Sequence, residues 1–73
     1  MKCKDYILEE LERAGLTGIA GGVLEDNVRD LAGYKSSTVS RIARSMAENG
    51  KTQRGEFLVN GKKCIFYRHK KYA

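Results

Sequence analysis

The stretch YKSSTVSRIARSMAENG, residues 34–50, decides how this chain folds. Val39, Ile42, Ala43 and Met46 recur at i, i+3, i+4 and i+7, the spacing of an apolar helical stripe that packs on a core. With successive residues turned by about 100°, the opposite side carries Ser37, Arg41, Arg44, Ser45 and Glu48, with Thr38 and Ser40 on its flanks. The spacing predicts a helix over about 36–49. Ser36 or Ser37 is expected to cap it, the hydroxyl accepting a bond from a free backbone N–H of the first turn. Asn49-Gly50 supplies the left-handed residue that ends it. An outward face of small hydroxyls and arginines suits a helix that approaches a polyanion.

Upstream, Leu24, Val28 and Leu31 stand at i, i+4 and i+7 and predict a helix over 24–32. Glu25 and Asp26 fall in its first turn, where they complement the helix dipole, and Gly33 ends it. The gap from Gly33 to Ser36 is so short that the two helices must meet at a steep angle, the helix-turn-helix pattern. Residues 3–14 form a further predicted helix. Ile7, Leu8, Leu11 and Ala14 mark its packed face with Tyr6 beside it, Glu9, Glu10, Glu12 and Arg13 point to water, and Gly15 stops it. Its acidic exposed side makes it scaffold. Between these helices LTGIAGGV, residues 16–23, has three glycines and reads as a short strand or an extended loop. Gly21-Gly22 is followed by no Gly-Lys-Ser/Thr, so a nucleotide-binding loop is not indicated.

Downstream of Gly50 the period changes to that of strands. Gly55-Glu56-Phe57-Leu58-Val59 and Lys62-Lys63-Cys64-Ile65-Phe66-Tyr67-Arg68 flank Asn60-Gly61. Asn-Gly between β-prone runs is a strong hairpin signal, because both central residues of a type I′ turn need φ > 0. The hairpin is expected over about 52–68, with Val59 opposite Lys62, Phe57 opposite Cys64, and Glu56 opposite Ile65. One face then holds Phe57, Val59, Cys64 and Phe66, the other Leu58, Ile65 and Tyr67, and both are apolar enough to pack on the helices. Lys62 and Lys63 make the tip basic. The tail, residues 69–73, continues the positive charge of Arg68 and is expected to fray.

At 73 residues the chain makes one small domain, too small for a cleft walled by two layers. No apolar run is long enough to span a membrane and no signal-peptide core follows the N-terminus, which sets the expectation of a soluble cytoplasmic protein. Cys3 and Cys64 form no CxxC pair and read as free thiols in a reducing compartment. The net charge of +5 divides unevenly: residues 1–33 carry −3 and residues 34–73 carry +8. Such asymmetry points to an anionic partner for the C-terminal half. Enzyme chemistry finds little support. The one histidine, His69, lies in the tail, the carboxylates cluster on exposed faces, and Cys3, Cys64 and His69 lack zinc-site spacing, so neither a cofactor nor a metal is expected.

The order of helix, short strand or loop, helix, amphipathic helix and basic hairpin resembles the winged helix-turn-helix family, an α+β fold of three helices and a C-terminal β-hairpin wing. The resemblance covers essentially the whole chain. It is most specific from Gly33-Tyr34-Lys35-Ser36-Ser37-Thr38-Val39-Ser40-Arg41-Ile42 through Asn49-Gly50-Lys51, which is similar to the turn, recognition helix and first wing strand of many DNA-binding regulators. It implies sequence-specific binding of double-stranded DNA and transcriptional regulation. Residues 37–48 would enter the major groove, with Ser37, Thr38, Ser40, Arg41, Arg44 and Ser45 facing DNA and Lys62 and Lys63 as wing-tip contacts. Lys35, Lys51 and Arg54 are secondary phosphate contacts of the same kind. Small domains of this sort gain affinity by dimerising on repeated half-sites, although no dedicated dimerisation helix is visible. The Z-DNA-binding domains share the layout but use an Asn and a Tyr on the recognition helix and a Pro-x-Trp wing. This chain has Ser40 and Arg44 at the matching helix positions and neither Pro nor Trp, which places ordinary B-DNA first.

Arginine binds guanine O6 and N7 through two parallel bonds, or clamps a phosphate, which puts Arg41 and Arg44 ahead of the hydroxyl residues. Glu48, one turn from Arg44, is expected to pair with it in the free protein. Two rivals keep the fold and change the partner. A protein-binding version would expose apolar groups on the outer face of residues 37–48, where this chain has hydroxyls and arginines. An RNA or single-strand binder would stack bases on Phe66, Tyr67 and Tyr72.

Overall fold

The computed structural model describes residues 1–72. The elements run α1 (Cys3–Ala14), a 3₁₀ turn (Gly15–Thr17), β1 (Ile19–Ala20), α2 (Gly21–Ala32), α3 (Ser36–Glu48), β2 (Thr52–Val59), β3 (Lys62–His69) and a closing 3₁₀ turn (Lys70–Tyr72). The strands form one antiparallel sheet in the order β1-β3-β2. This is an α+β winged helix-turn-helix fold, with α2 and α3 as the helix pair and β2–β3 as the wing.

Each helix contributes one stripe to a shared core. Cys3, Ile7 and Leu11 of α1, Leu24 and Val28 of α2, and Val39, Ala43 and Met46 of α3 are buried together, and Tyr67 of β3 closes the cluster from the sheet side. Tyr34, in the turn before α3, packs against this core with its ring 6.2 Å from that of Tyr6. The helix ends follow local chemistry. The carboxylate of Asp5 accepts the backbone N–H of Lys2 at 2.8 Å, which satisfies a donor at the start of α1. Gly33 (φ 76°) lets its N–H reach the carbonyl of Arg29 at 2.7 Å and ends α2.

Several details depart from the sequence reading. α2 begins at Gly21 rather than Leu24. Glycine reads as a helix breaker, but Gly21 and Gly22 form the first turn of α2, and Gly21 lies against β3, where a Cβ would be in ordinary contact, 3.5 Å from the carbonyl oxygen of Ile65 and 3.7 Å from the Tyr67 ring. The earlier start moves Glu25 and Asp26 out of the first turn, and Asp26 instead pairs with Arg29 at 3.4 Å. Leu31 is exposed because it lies in the last turn of α2, at the rim of a shallow hollow that Glu10, Arg13, Asn27 and Asp30 also line. Glu10 is buried rather than hydrated, and its carboxylate is held at 2.8 Å by Arg13 one turn on. The N-cap of α3 is Lys35, in extended conformation and without a side-chain bond, and Ser36 is already helical. The turn after Gly33 is so short that the chain enters the helix before either serine can cap it.

The wing forms in the predicted register, from Val59↔Lys62 at the turn to Thr52↔His69 at the base. Asn60 (φ 52°) and Gly61 (φ 80°) are both left-handed, as a type I′ turn requires. Of the two apolar faces, the one with Ile65, Tyr67 and Thr52 turns to the helices. Leu58 shares that face but stands beyond the helices and is 73% exposed. On the outer face the ring of Phe66 lies over Gly55, where any Cβ would clash with it, and packs 5.8 Å from Phe57.

The described part of the tail, through Tyr72, is held, not frayed. Arg68 donates from Nε to the side-chain oxygen of Gln53 at 2.7 Å and from Nη1 to the carbonyl of Leu16 at 3.3 Å. Lys71 pairs with Glu12 of α1, which holds the Glu12 carboxyl below the usual carboxylate range. The last residue of the predicted tail, Ala73, lies outside the described residues.

Candidate nucleic-acid interface

The packed stripe of α3 fixes what its other side can present. With Val39, Ala43 and Met46 buried, Ser37, Ser40, Arg41, Arg44, Ser45 and Glu48 line one shallow, open groove along the outer surface of the helix. Ser37, Arg41, Arg44 and Ser45 are exposed, and Ser40 is half-buried at the edge. Thr38 is also half-buried but does not line the groove. Five of the six helix residues named from the sequence therefore share one surface, and Thr38 stands aside from it.

Charge on this surface is uncompensated. Among the described residues neither Arg41 nor Arg44 has a carboxylate within ion-pair distance, and the expected Arg44–Glu48 pair is not formed. Both guanidiniums also make no hydrogen bond within the described residues. Their planar forks are thus turned to solvent with every donor free, the state in which a bidentate acceptor such as a phosphate or a guanine edge displaces only water. Arg41 lies near enough to Cys3, at the start of α1, to act on its thiol. Burial pushes that thiol up and the arginine's charge partly offsets the rise.

The wing residues divide. Lys62 is exposed and unpaired among the described residues, whereas the Lys63 ammonium stands 3.4 Å from a carboxylate oxygen of Glu56. Arg54 is half-buried against the helices, with Nε enclosed and unbonded and Nη1 3.9 Å from Glu56. Its place in the fold is structural as much as electrostatic. Lys35 before α3 and Lys51 after it are both exposed, so the two ends of the helix carry free ammonium groups. Glu56 was not singled out in the sequence reading, although the hairpin register places it diagonally across from Lys63 and so made the pair legible. Arg68, read there as part of a basic tail, is a brace.

Known proteins add no identification. No family model matches the chain, and no curated protein or solved structure matches it either. Among the described residues no group of His, Cys, Asp and Glu is arranged to hold a metal ion, and no helix is long and apolar enough to cross a membrane. The functional reading therefore rests on the surface of α3 and the wing.

Since Glu56 occupies Lys63, removing its charge should free a phosphate contact. Glu56→Gln is expected to tighten duplex binding a few-fold at low salt and to steepen its salt dependence by up to about one counterion. Titrations of both proteins across a salt series check this, and an unchanged slope would show that Lys63 does not reach the backbone.

Proposed function

We propose that this chain is a sequence-specific double-stranded DNA-binding protein of the winged helix type, acting in transcriptional regulation within the cytoplasm. Residues 37–48 enter the major groove, and the wing rests on the flanking backbone. One observation carries the reading: Arg41 and Arg44 stand side by side on the exposed face of α3, flanked by serine hydroxyls and without ion-pair or hydrogen-bond partners among the described residues. The fold supplies the geometry, since the second helix of a helix-turn-helix is the one shaped for the groove. The charge division supports it as well, with +8 in residues 34–73 against −3 in the scaffold half. Arg41 and Arg44 read base edges or clamp phosphates, Ser37, Ser40 and Ser45 add hydroxyl contacts, and Lys35, Lys51 and Lys62 position the duplex through its phosphates.

The single-strand alternative loses support from the burial of Tyr67, one of the rings it needed for stacking. The groove-facing side of α3 also lacks the apolar groups that a protein-binding winged helix would show there.

Fluorescence anisotropy with a random-sequence duplex and its matched single strand, at several salt concentrations, tests the proposal. Tighter binding to the duplex, falling steeply as salt rises, is expected, with site selection from random sequence to follow. Absence of duplex binding at low salt would overturn it.

A further inference from the structure

The sheet has two unlike edges. At one, β1 is only two residues long, and short strands offer little to pair with. At the other, β2 runs eight residues with nothing hydrogen-bonded along its outer side among the described residues. Proteins blunt such an edge with a bulge, a proline or a row of lysines. β2 has none of these: its register to β3 is one-to-one from Thr52 to Val59, and it contains neither proline nor lysine. It carries instead three consecutive exposed apolar side chains, Phe57, Leu58 and Val59, at 40%, 73% and 45% exposure.

The two-residue turn makes Val59 and Lys62 the closing hydrogen-bonded pair, and bonding alternates from there. Gln53, Gly55, Phe57 and Val59 therefore direct their backbone groups to β3, while Thr52, Arg54, Glu56 and Leu58 direct theirs outward. A second β2, antiparallel about a two-fold axis, can meet this edge only in registers that pair outward residues with outward residues. Axes at Glu56 or Arg54 set like charges opposite each other. An axis at Gly55 sets Arg54 opposite Glu56 of the other copy, twice, and the open overlap runs from Gln53 to Phe57, because Thr52 is buried. Within one chain Glu56 stands 3.9 Å from Arg54 and 3.4 Å from Lys63, and the second is an exposed pair of the kind that contributes little, so the contact across the axis competes with a weak one.

The outer face favours the same axis. Gly55 leaves no side chain at the centre, and the Phe66 ring lies over it. Phe57 of one copy becomes the diagonal neighbour of Gly55 in the other, within reach of that copy's Phe66. The Phe57–Phe66 pair, 5.8 Å apart in one chain, thereby becomes a cluster of four rings across the axis.

We propose that two copies of this chain associate through β2, antiparallel about Gly55, to form a continuous six-stranded sheet with reciprocal Arg54–Glu56 pairs. The seam is isologous, so it closes at two copies and does not propagate. The inference does not depend on the nucleic-acid reading and is tested without DNA.

Sedimentation equilibrium of the intact protein, raised from micromolar towards millimolar, is expected to show a monomer–dimer equilibrium. Glu56→Arg replaces an exposed residue, so the melting temperature should hold while the dimer is lost at concentrations where the wild type is half-dimeric. Mixing it with Arg54→Glu should restore dimers, because every cross-strand pair is then of opposite charge. Should Arg54→Glu not fold, amide exchange decides instead: the N–H groups of Arg54 and Glu56 should exchange more slowly as wild-type concentration rises. A monomer throughout, an E56R variant that dimerises like the wild type, or dimers without that concentration-dependent protection would each overturn the proposal.

Discussion

The double variant R41A/R44A is expected to lose about 2–6 kcal/mol of affinity for its selected duplex, since each well-placed arginine contact contributes ~1–3 kcal/mol. In dissociation constant that is a weakening of roughly 30-fold to 10⁴-fold. The fold should not suffer. Both side chains are exposed and form no ion pair among the described residues, and alanine is a better helix former than arginine. The thermal midpoint is therefore expected to stay within a few degrees of wild type. Each single variant also reports a role. An arginine that reads a base should relax sequence preference at one position, whereas one that clamps a phosphate should weaken all duplexes alike and lower the salt slope by about one. Duplex affinity unchanged in the double variant would remove α3 from the interface and, with it, the carrying observation for DNA binding.

The second large effect lies in the core. Leu11 is fully buried in the last turn of α1, among the core residues contributed by all three helices. Leu11→Ala should destabilise the domain by about 2–5 kcal/mol, the transfer cost of the lost methyl groups plus the cavity they leave. For a domain of this size ~1 kcal/mol shifts the midpoint by roughly 4–8 °C, so a drop of ~10–40 °C is expected in a circular dichroism melt. A total stability of ~4–11 kcal/mol, taken from about 0.05–0.15 kcal/mol per residue, leaves the variant marginal. A fall of only a degree or two would mean that α1 is not part of the cooperative unit. The pair of experiments separates binding from folding, because the first variant should change affinity alone and the second stability alone.

Strong periodic signals made most of this arrangement legible in advance. The α3 stripe and the Asn60-Gly61 turn each admit one reading, since four apolar positions at helical spacing and a two-residue left-handed turn leave little freedom of phase or register. What escaped was set by contacts between distant elements. Gly21-Gly22 looks like an interruption, yet both residues are helical, with Gly21 set against β3. Glu10 looks solvated until the α1–α2 hollow encloses it. The choice of hairpin face was undecidable locally, because Ile65 and Phe66 are adjacent and equally apolar. Only the place of the helices decides that Tyr67 goes inward and Phe66 outward. At the site, helical phase alone grouped Ser37, Ser40, Arg41, Arg44 and Ser45, but the freedom of the arginines and the Glu56–Lys63 pair depend on side-chain reach.

The place of Tyr67 in the core has a consequence for how the molecule comes into being. Among the described residues every other buried apolar core residue lies at or before Met46, and β1 finds its partners only at Phe66 and Tyr67. As the chain leaves the ribosome, the three helices emerge first and can collapse on one another, yet one wall of their interior stays open until β3 is made. A nascent chain cut short after the third helix keeps its arginines and its helical stripe, but has no sheet to lie on, so the domain cannot be miniaturised to the helix pair that faces outward.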